Sequence, residues 1–262
     1  MAHDVRSLDA LLQRLPPVSL DELDRRAALQ RRVDTKYLLA SDTLEELVAA
    51  LADEHEALEI DGLRSFRYES VYFDTPDLRS FREHVEGRAP RFKVRSRLYV
   101  DSAHSVFELK VRLPDGETVK ESIDQDPAEH GRLTPAAHRF LAERLPALTG
   151  DHEPPSLEPT LITRFERATL AARAEAERLT VDRDLVLARP DGPAVRLLDD
   201  RVIAESKSDD GEGRADRALR ERGVEPVAFS KYRTGVGLLM AEDPDPPLHG
   251  EPERWFRPAG DG

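Results

Sequence analysis

The stretch Arg91-Phe-Lys-Val-Arg-Ser-Arg-Leu-Tyr99 constrains this chain more than any other. Side chains of a strand alternate between its faces, so Arg91, Lys93, Arg95 and Arg97 share one face and Phe92, Val94 and Leu98 the other. Four cations on one face, with no anion among them, repel one another unless something negative is supplied. A phosphate-rich ligand meets that need, because Arg suits bidentate phosphate contacts and Lys supplies point charge. The cation density is local: the 262-residue chain has a formal net charge of -13. That acidic balance argues against a nucleic-acid polymer as partner.

The same alternation recurs. Glu108, Lys110 and Arg112 lie opposite Phe107, Leu109 and Val111; Arg178, Thr180 and Asp182 lie opposite Leu179 and Val181. Arg201, Ile203, Glu205 and Lys207 fall on one face, and Arg164 and Glu166 lie opposite Phe165. One reading is a sheet whose charged face meets water. The other, which the set as a whole favours, is an inverted barrel: apolar outside under helices, with a charged lumen that needs water and a bound polyanion. Glu108 and Glu205 then have two readings. They could hold a hard divalent cation shared with phosphate oxygens, or pair with Lys110 and Lys207.

Turn and cap signals divide the chain. Residues 1–18 read as an N-terminal arm ending in Pro16-Pro17. Ser19-Leu-Asp-Glu22 is a capping box opening a helix to about Gln30, and Asp42-Thr-Leu-Glu45 opens an amphipathic helix through about Leu58. Thr75-Pro76 and Thr134-Pro135 start helices running to about Gly87 and Leu148; two more are expected over 214–222 and 231–240. Strands are expected over 31–39, 67–74, 91–100, 105–113, 117–124, 157–171, 177–187, 194–198, 201–206 and 225–229, with a turn at Pro114-Asp-Gly116. The expectation is an α+β fold: one domain, 19–241, built on a mostly antiparallel β-barrel tunnel of about eight strands with helices packed outside. Residues 242–262 read as a Pro-rich disordered tail.

The chain has no cysteine, which excludes disulfides and thiolate metal sites. No apolar run approaches membrane-spanning length and the N-terminus has no apolar segment of signal-peptide type, so a cytoplasmic protein is expected. The eight histidines show no metal-ligand spacing, and no Walker, Gly-x-Ser-x-Gly or Gly-x-Gly-x-x-Gly motif occurs.

Seven short motifs occur in order: Arg32-Val-Asp-Thr-Lys-Tyr37, Tyr72-Phe-Asp-Thr75, Arg95-Ser-Arg-Leu-Tyr99, Glu108-Leu-Lys110, Arg178-Leu-Thr-Val-Asp182, Glu205-Ser-Lys207 and Phe229-Ser-Lys-Tyr232. Together, over roughly residues 30–240, they resemble the VTC domain, the polyphosphate-polymerase domain of the vacuolar transporter chaperone complex. That domain is one of the triphosphate tunnel metalloenzymes, alongside the CYTH phosphatases. The resemblance implies a stand-alone bacterial-type member and an antiparallel tunnel lined with Arg, Lys and Glu. It implies transfer of the ATP γ-phosphate to polyphosphate with Mn²⁺ or Mg²⁺. A triphosphatase on the same tunnel and a non-catalytic polyphosphate sensor are the alternatives.

Carried over by motif, Lys36 contacts triphosphate near the tunnel mouth, Arg95 and Arg97 clamp phosphate oxygens beside Lys110, and Arg164 and Arg178 approach from the opposite wall. Glu205 is the main metal ligand, with Glu108 second. Ser230 and Lys231 close the site from the last helix, and Lys93, Lys120 and Lys207 line it. The implied partners are ATP or another triphosphate, polyphosphate and pyrophosphate. Two departures stand out: Ala228 occupies a position that is often a second lysine, and Ile162 replaces an aromatic two residues before Arg164.

Overall fold

The computed structural model describes residues 6–26, 33–174, 176–240 and 252–260. In chain order the elements are α1 (Arg6–Leu12), β1 (Pro17–Val18), α2 (Leu20–Arg26), β2 (Val33–Ala40), α3 (Ser41–Leu51), β3 (His55–Leu58), β4 (Ser65–Asp74), α4 (Arg79–Val85), β5 (Arg91–Tyr99), β6 (His104–Arg112) and β7 (Thr118–Gln125). They continue with α5 (Pro135–Thr149), β8 (Glu158–Ala172), β9 (Arg178–Ala188), β10 (Ala194–Leu197), β11 (Arg201–Ser208), α6 (Arg214–Glu221), α7 (Lys231–Leu239) and β12 (Phe256–Pro258).

Eight strands pair antiparallel in the order β2-β11-β9-β8-β4-β5-β6-β7. Four short strands extend this path. β10 and β12 continue from the C-terminal half of β9, and β3 with β1 from the end of β8. The sheet is therefore twelve-stranded and mostly antiparallel. Among the described residues no ladder joins β2 to β7, so the expected closed barrel is instead an open sheet. It curls far enough that Lys110 on β6 feels the charges of Asp34, Lys36 and Glu205 on β2 and β11.

The convex face is apolar, as the alternation requires. Phe92, Val94, Phe107, Leu109 and Val111 pack under Ala137, Leu141 and Leu145 of α5. Tyr37, Leu39, Val181, Val202 and Ala204 pack under Leu44, Leu47, Val48 and Leu51 of α3, with α1 and α6 alongside. Each fully buried aliphatic side chain contributes about 1.5–3 kcal/mol. The helices are not all outside, however. Tyr232 and Val236 of α7 and Phe81 of α4 form one core with Tyr72, Leu161, Phe165 and Ile203, which project from the concave face. Gly235 permits this close approach: a Cβ there would stand 2.6 Å from a methyl carbon of Leu161.

The caps largely follow the sequence signals. Ser19 Oγ accepts from Glu22 N–H, Thr134 Oγ1 from Ala137 N–H, and Thr75 Oγ1 from Arg79 N–H at the start of α4. α3 differs: it begins at Ser41 with no side-chain cap and ends at Leu51, where its apolar stripe stops. Residues 55–58 form β3 because their burial switches to a strand-like pattern along β8. Residues 225–229 form no strand, although Val227 N–H donates to Lys36 O at the edge of β2.

Parts of both terminal segments pack on the domain. Leu8, Leu12 and Leu15 are buried, and Arg64 donates to the carbonyls of Leu12 and Leu15, so residues 6–18 pack on the domain and are no loose arm. In the Pro-rich tail, residues 252–260 form a short 3₁₀ turn and β12, held by Arg257 to Asp199 and by Arg201 stacking on Trp255. The intervening part of the tail, residues 241–251, lies outside the described residues, as do 31–32 at the start of the first expected strand. No helix among the described residues is long and apolar enough to cross a membrane.

Candidate functional site

Cross-strand register arranges the concave face in rows, because residues directly opposite in an antiparallel pair share a face. One row is Lys93–Lys110–Lys120. The next is Tyr72–Arg95–Glu108–Ser122, followed by Ser70–Arg97. Across the curl, Asp34 lies opposite Lys207 and Arg178 beyond it, Lys36 opposite Glu205, and Arg167 opposite Asp182. Cations outnumber carboxylates over this surface.

Three carboxylates organise the cations. Glu108 is buried and takes Arg95 on one oxygen and Lys120 on the other. Asp182, also buried, receives Arg167 through two hydrogen bonds of 2.6 and 2.8 Å and Lys231 on the same face. Glu205 lies 2.6 Å from Lys207 Nζ and 3.6 Å from Lys36 Nζ. Burial opposes ionisation of all three acids, but the adjacent cations outweigh it. Arg95 and Arg97 hold Glu108 at about 2, Arg167 and Lys231 hold Asp182 at about 2, and Lys207 and Lys36 keep Glu205 well below the usual carboxylate range.

The remaining charge is spread over aromatic rings. Arg95 lies over Tyr72, Arg97 and Arg167 over Tyr68, and Lys231 over Phe165 at 4.3 Å. Even so, burial depresses the ammonium pKa of Lys93, Lys110, Lys207 and Lys231, with Lys110, Arg91 and Lys36 adding repulsion at Lys93. These groups carry an electrostatic cost that a polyanion would relieve.

Two buried networks hold the walls in place. Tyr37 and Ser206, the outward-facing neighbours of Lys36 and Glu205, both donate to Asp216 at 2.7 Å and so fasten β2 and β11 to α6. Asp74 accepts from Ser80 and Phe81 N–H at the start of α4 and from the Tyr232 hydroxyl on α7. This sets the N-terminus of α7 against the cationic rows, where Ser230 accepts a 3.1 Å bond from Lys93 Nζ and caps the helix through Arg233 N–H. Beside it, Asp34, Lys36, His84, Ala228, Ser230 and Arg233 line a cavity of ≈ 210 Å³. Burial and the charges of Lys93, Arg91 and Arg233 push the His84 imidazole down to about 3.

Of the residues singled out from sequence, Lys36, Lys93, Arg95, Arg97, Lys110, Lys120, Lys207, Glu108, Glu205, Ser230 and Lys231 gather on or against the concave face. Arg178 is at its margin, 3.6 Å from Asp24 of α2. Arg164 is not part of it. It projects from the opposite face, about half exposed, and pairs with Glu69 at 2.6 Å. Its place is taken by Arg167, because Leu161, Phe165 and Arg167 alternate onto the concave face opposite Tyr72, Tyr68 and Phe66 of β4, and Phe165 stacks on Tyr68 at 5.2 Å. The extra residue of the adjoining bulge lies in β9, which keeps Asp182 opposite Arg167. Shifted by three residues, the pair Phe165 and Arg167 restores the aromatic-x-Arg pattern that Ile162 and Arg164 lack. Asp182 and Tyr72 lay inside quoted motifs but had no role assigned; their charge and ring become meaningful only beside Arg167, Lys231 and Arg95.

No group of three or more His, Asp or Glu residues that could hold a metal occurs among the described residues. Both oxygens of Glu108 are taken by cations, which favours ion pairing, with Arg95 and Lys120 as partners in place of the expected Lys110. The ion pairs of Glu205 both use Oε1. Mg²⁺-type ions are commonly held by one or two carboxylates together with substrate phosphates, a role for which Glu205 is placed among the cationic rows. The donor set fits a metal shared with a ligand better than one caged by protein alone.

No curated protein matches the chain. Among solved structures, HpAC1 from Hippeastrum, described with a dominant triphosphatase activity, is 18% identical, with 80% of this chain and 98% of that chain covered and a TM-score of 0.49. The PH1819 protein of Pyrococcus horikoshii is 16% identical (78% and 95% covered, TM-score 0.44), and the bh2851 protein of Bacillus halodurans 14% identical (76% and 94%, TM-score 0.44). The VTC domain model matches residues 31–240, the span that contains every row of the concave face, and on that match the chain belongs to the VTC domain family.

Proposed function

We propose that this protein is a metal-dependent polyphosphate polymerase that transfers the γ-phosphate of ATP to a polyphosphate chain lying along the cationic face. The observation that carries the reading is the continuous Lys–Arg surface of β5, β6 and β7 facing Lys36, Arg167 and Lys231, in a chain of the VTC domain family. Phosphoryl transfer asks the protein mainly for in-line positioning and charge neutralisation. In this reading Arg95, Arg97 and Arg167 clamp the triphosphate, while Lys231 and the N-terminus of α7 face the transferring group. An ionised terminal oxygen of the acceptor chain attacks the γ-phosphorus, the bond to the β,γ-bridging oxygen breaks, and ADP leaves with the electron pair. The acceptor is already anionic, so no strong base is required. Glu205 would hold a divalent cation together with the phosphates, and that ion would supply neutralisation of phosphate charge.

The test is to incubate purified protein with ATP and Mn²⁺ and to follow ADP, free phosphate and acid-stable polymer together. ADP with polymer is the expected result. ADP with stoichiometric free phosphate would replace the polymerase by a triphosphatase, and triphosphate binding without turnover would replace it by a sensor. Glu205→Gln should abolish metal-dependent turnover while leaving anion binding largely intact; full activity in that variant would overturn the metal assignment.

A further inference from the structure

Immediately beyond the Arg97 row, the concave face changes character. The next cross-strand row is entirely aromatic: Phe165 on β8, Tyr68 on β4, Tyr99 on β5 and His104 on β6. The rings touch in sequence. Phe165 and Tyr68 stack with centroids 5.2 Å apart and planes within 9°, Tyr68 meets Tyr99 edge-on at 5.1 Å, and Tyr99 stacks on His104 at 5.7 Å and 24°. The inner half of this row serves the cations, since Arg97 and Arg167 lie over Tyr68. The outer half has no cation stacked on it among the described contacts, and it reaches solvent: Tyr99 is partly exposed, and the His104 side chain is 54% exposed.

We propose that Tyr99 and His104 form a nucleobase platform at the rim of the tunnel, so that the site takes a nucleoside triphosphate in preference to inorganic tripolyphosphate. The inference rests on the reading that a triphosphate lies on the Arg95 and Arg97 rows. Direction comes from the structure. At the Lys93 end Ser230 of α7 engages Lys93, whereas the Arg97 end carries the stacked, solvent-reaching rings of Tyr99 and His104. Distance also agrees. Tyr99 is two residues from Arg97 along one strand face, roughly 7 Å, about the reach from the phosphates of a nucleotide across its ribose to its base. A base stacked on an aromatic side chain is held through its π-face, and this contact is indifferent to which base it is.

The experiment is equilibrium binding of ATP and of tripolyphosphate, by calorimetry without turnover, to the full chain and to Tyr99→Ala, Tyr99→Phe and His104→Ala. Tyr99→Ala should weaken ATP about tenfold or more, the scale of one lost base–aromatic stack, and leave tripolyphosphate unchanged. Tyr99→Phe should restore ATP affinity. His104→Ala alters an exposed ring, so it tests the platform without risk to the fold, and it should weaken ATP alone. Equal loss for both ligands, or no loss for either, in both alanine variants would overturn the platform while leaving the phosphate site standing. Failure of the unsubstituted protein to bind either ligand would overturn the triphosphate reading itself, and the platform with it.

Discussion

Asp182→Asn probes the electrostatic design of the lumen most directly. Asp182 is the shared counter-ion of Arg167 and Lys231, and the three side chains are almost wholly withdrawn from solvent, at 3%, 15% and 13% exposure. Removing one partner of a buried ion pair costs about 3–5 kcal/mol, because the charges left behind lack compensation. The lumen's access to water places the expected loss near the lower end, about 3 kcal/mol, which for a domain of this size is a fall in Tm of about 6–12 °C. The pKa shift gives an independent figure. Burial opposes ionisation, but Arg167 and Lys231 hold Asp182 at about 2 in the folded chain against 3.8 ordinarily, and at about 1.4 kcal/mol per unit this is about 2–3 kcal/mol. The sign follows from the depressed value: the stabilisation is complete above the unfolded pKa and is lost as pH falls through the folded one. The gap between the variant and the unsubstituted protein should therefore be full at pH 7 and close between pH about 4 and about 2. Thermal melts across that range measure it. Tripolyphosphate should raise the Tm of Asp182→Asn more than that of the unsubstituted protein, because the ligand supplies the missing negative charge. A variant within roughly 0.5 kcal/mol of the unsubstituted protein at pH 7, or a gap independent of pH, would refute the reasoning.

Three further outcomes are expected. Arg167→Ala should abolish measurable triphosphate binding in calorimetry, whereas Arg164→Ala, on the other face with Glu69, should leave it within about twofold, the effect of an exposed ion pair. Gly235→Ala should cost about 1–3 kcal/mol in denaturant melts, since its Cβ would press into Leu161. Triphosphate binding should take up protons: the ammonium pKa values of Lys93, Lys110, Lys207 and Lys231 are depressed in the unliganded chain, and a polyanion favours the charged forms and raises them. Binding enthalpies measured at mildly alkaline pH in buffers of different ionisation heat should reveal that uptake; buffer-independent enthalpies would contradict the depressed values.

The sequence by itself determined the identity of the functional face. Alternation along 91–97 and 107–112 is fixed by the covalent pleat, so once those segments are strands the cations of β5 and β6 must share a face, and they do. Cap and turn chemistry is local as well, which is why Ser19, Thr75 and Thr134 could be read as caps before any packing was known. On β8 the pattern alternated but marked the wrong face as the inner one, for a physical reason. It identifies the inner face only where that face is polar, but α7 fills the concave side along β8, so Leu161 and Phe165 are buried inward among Tyr232 and Val236. An apolar residue there no longer marks the outside. Alternation itself runs unbroken along β8 opposite β4, so Arg167, two residues beyond Phe165, enters the site and Arg164 does not. The pairing of Asp182 with both Arg167 and Lys231, the open seam between β2 and β7, and the aromatic row at the rim likewise join residues far apart in the chain. Tertiary structure alone decided these features, because each depends on strands and helices brought together by burial of apolar surface and not on any local pattern.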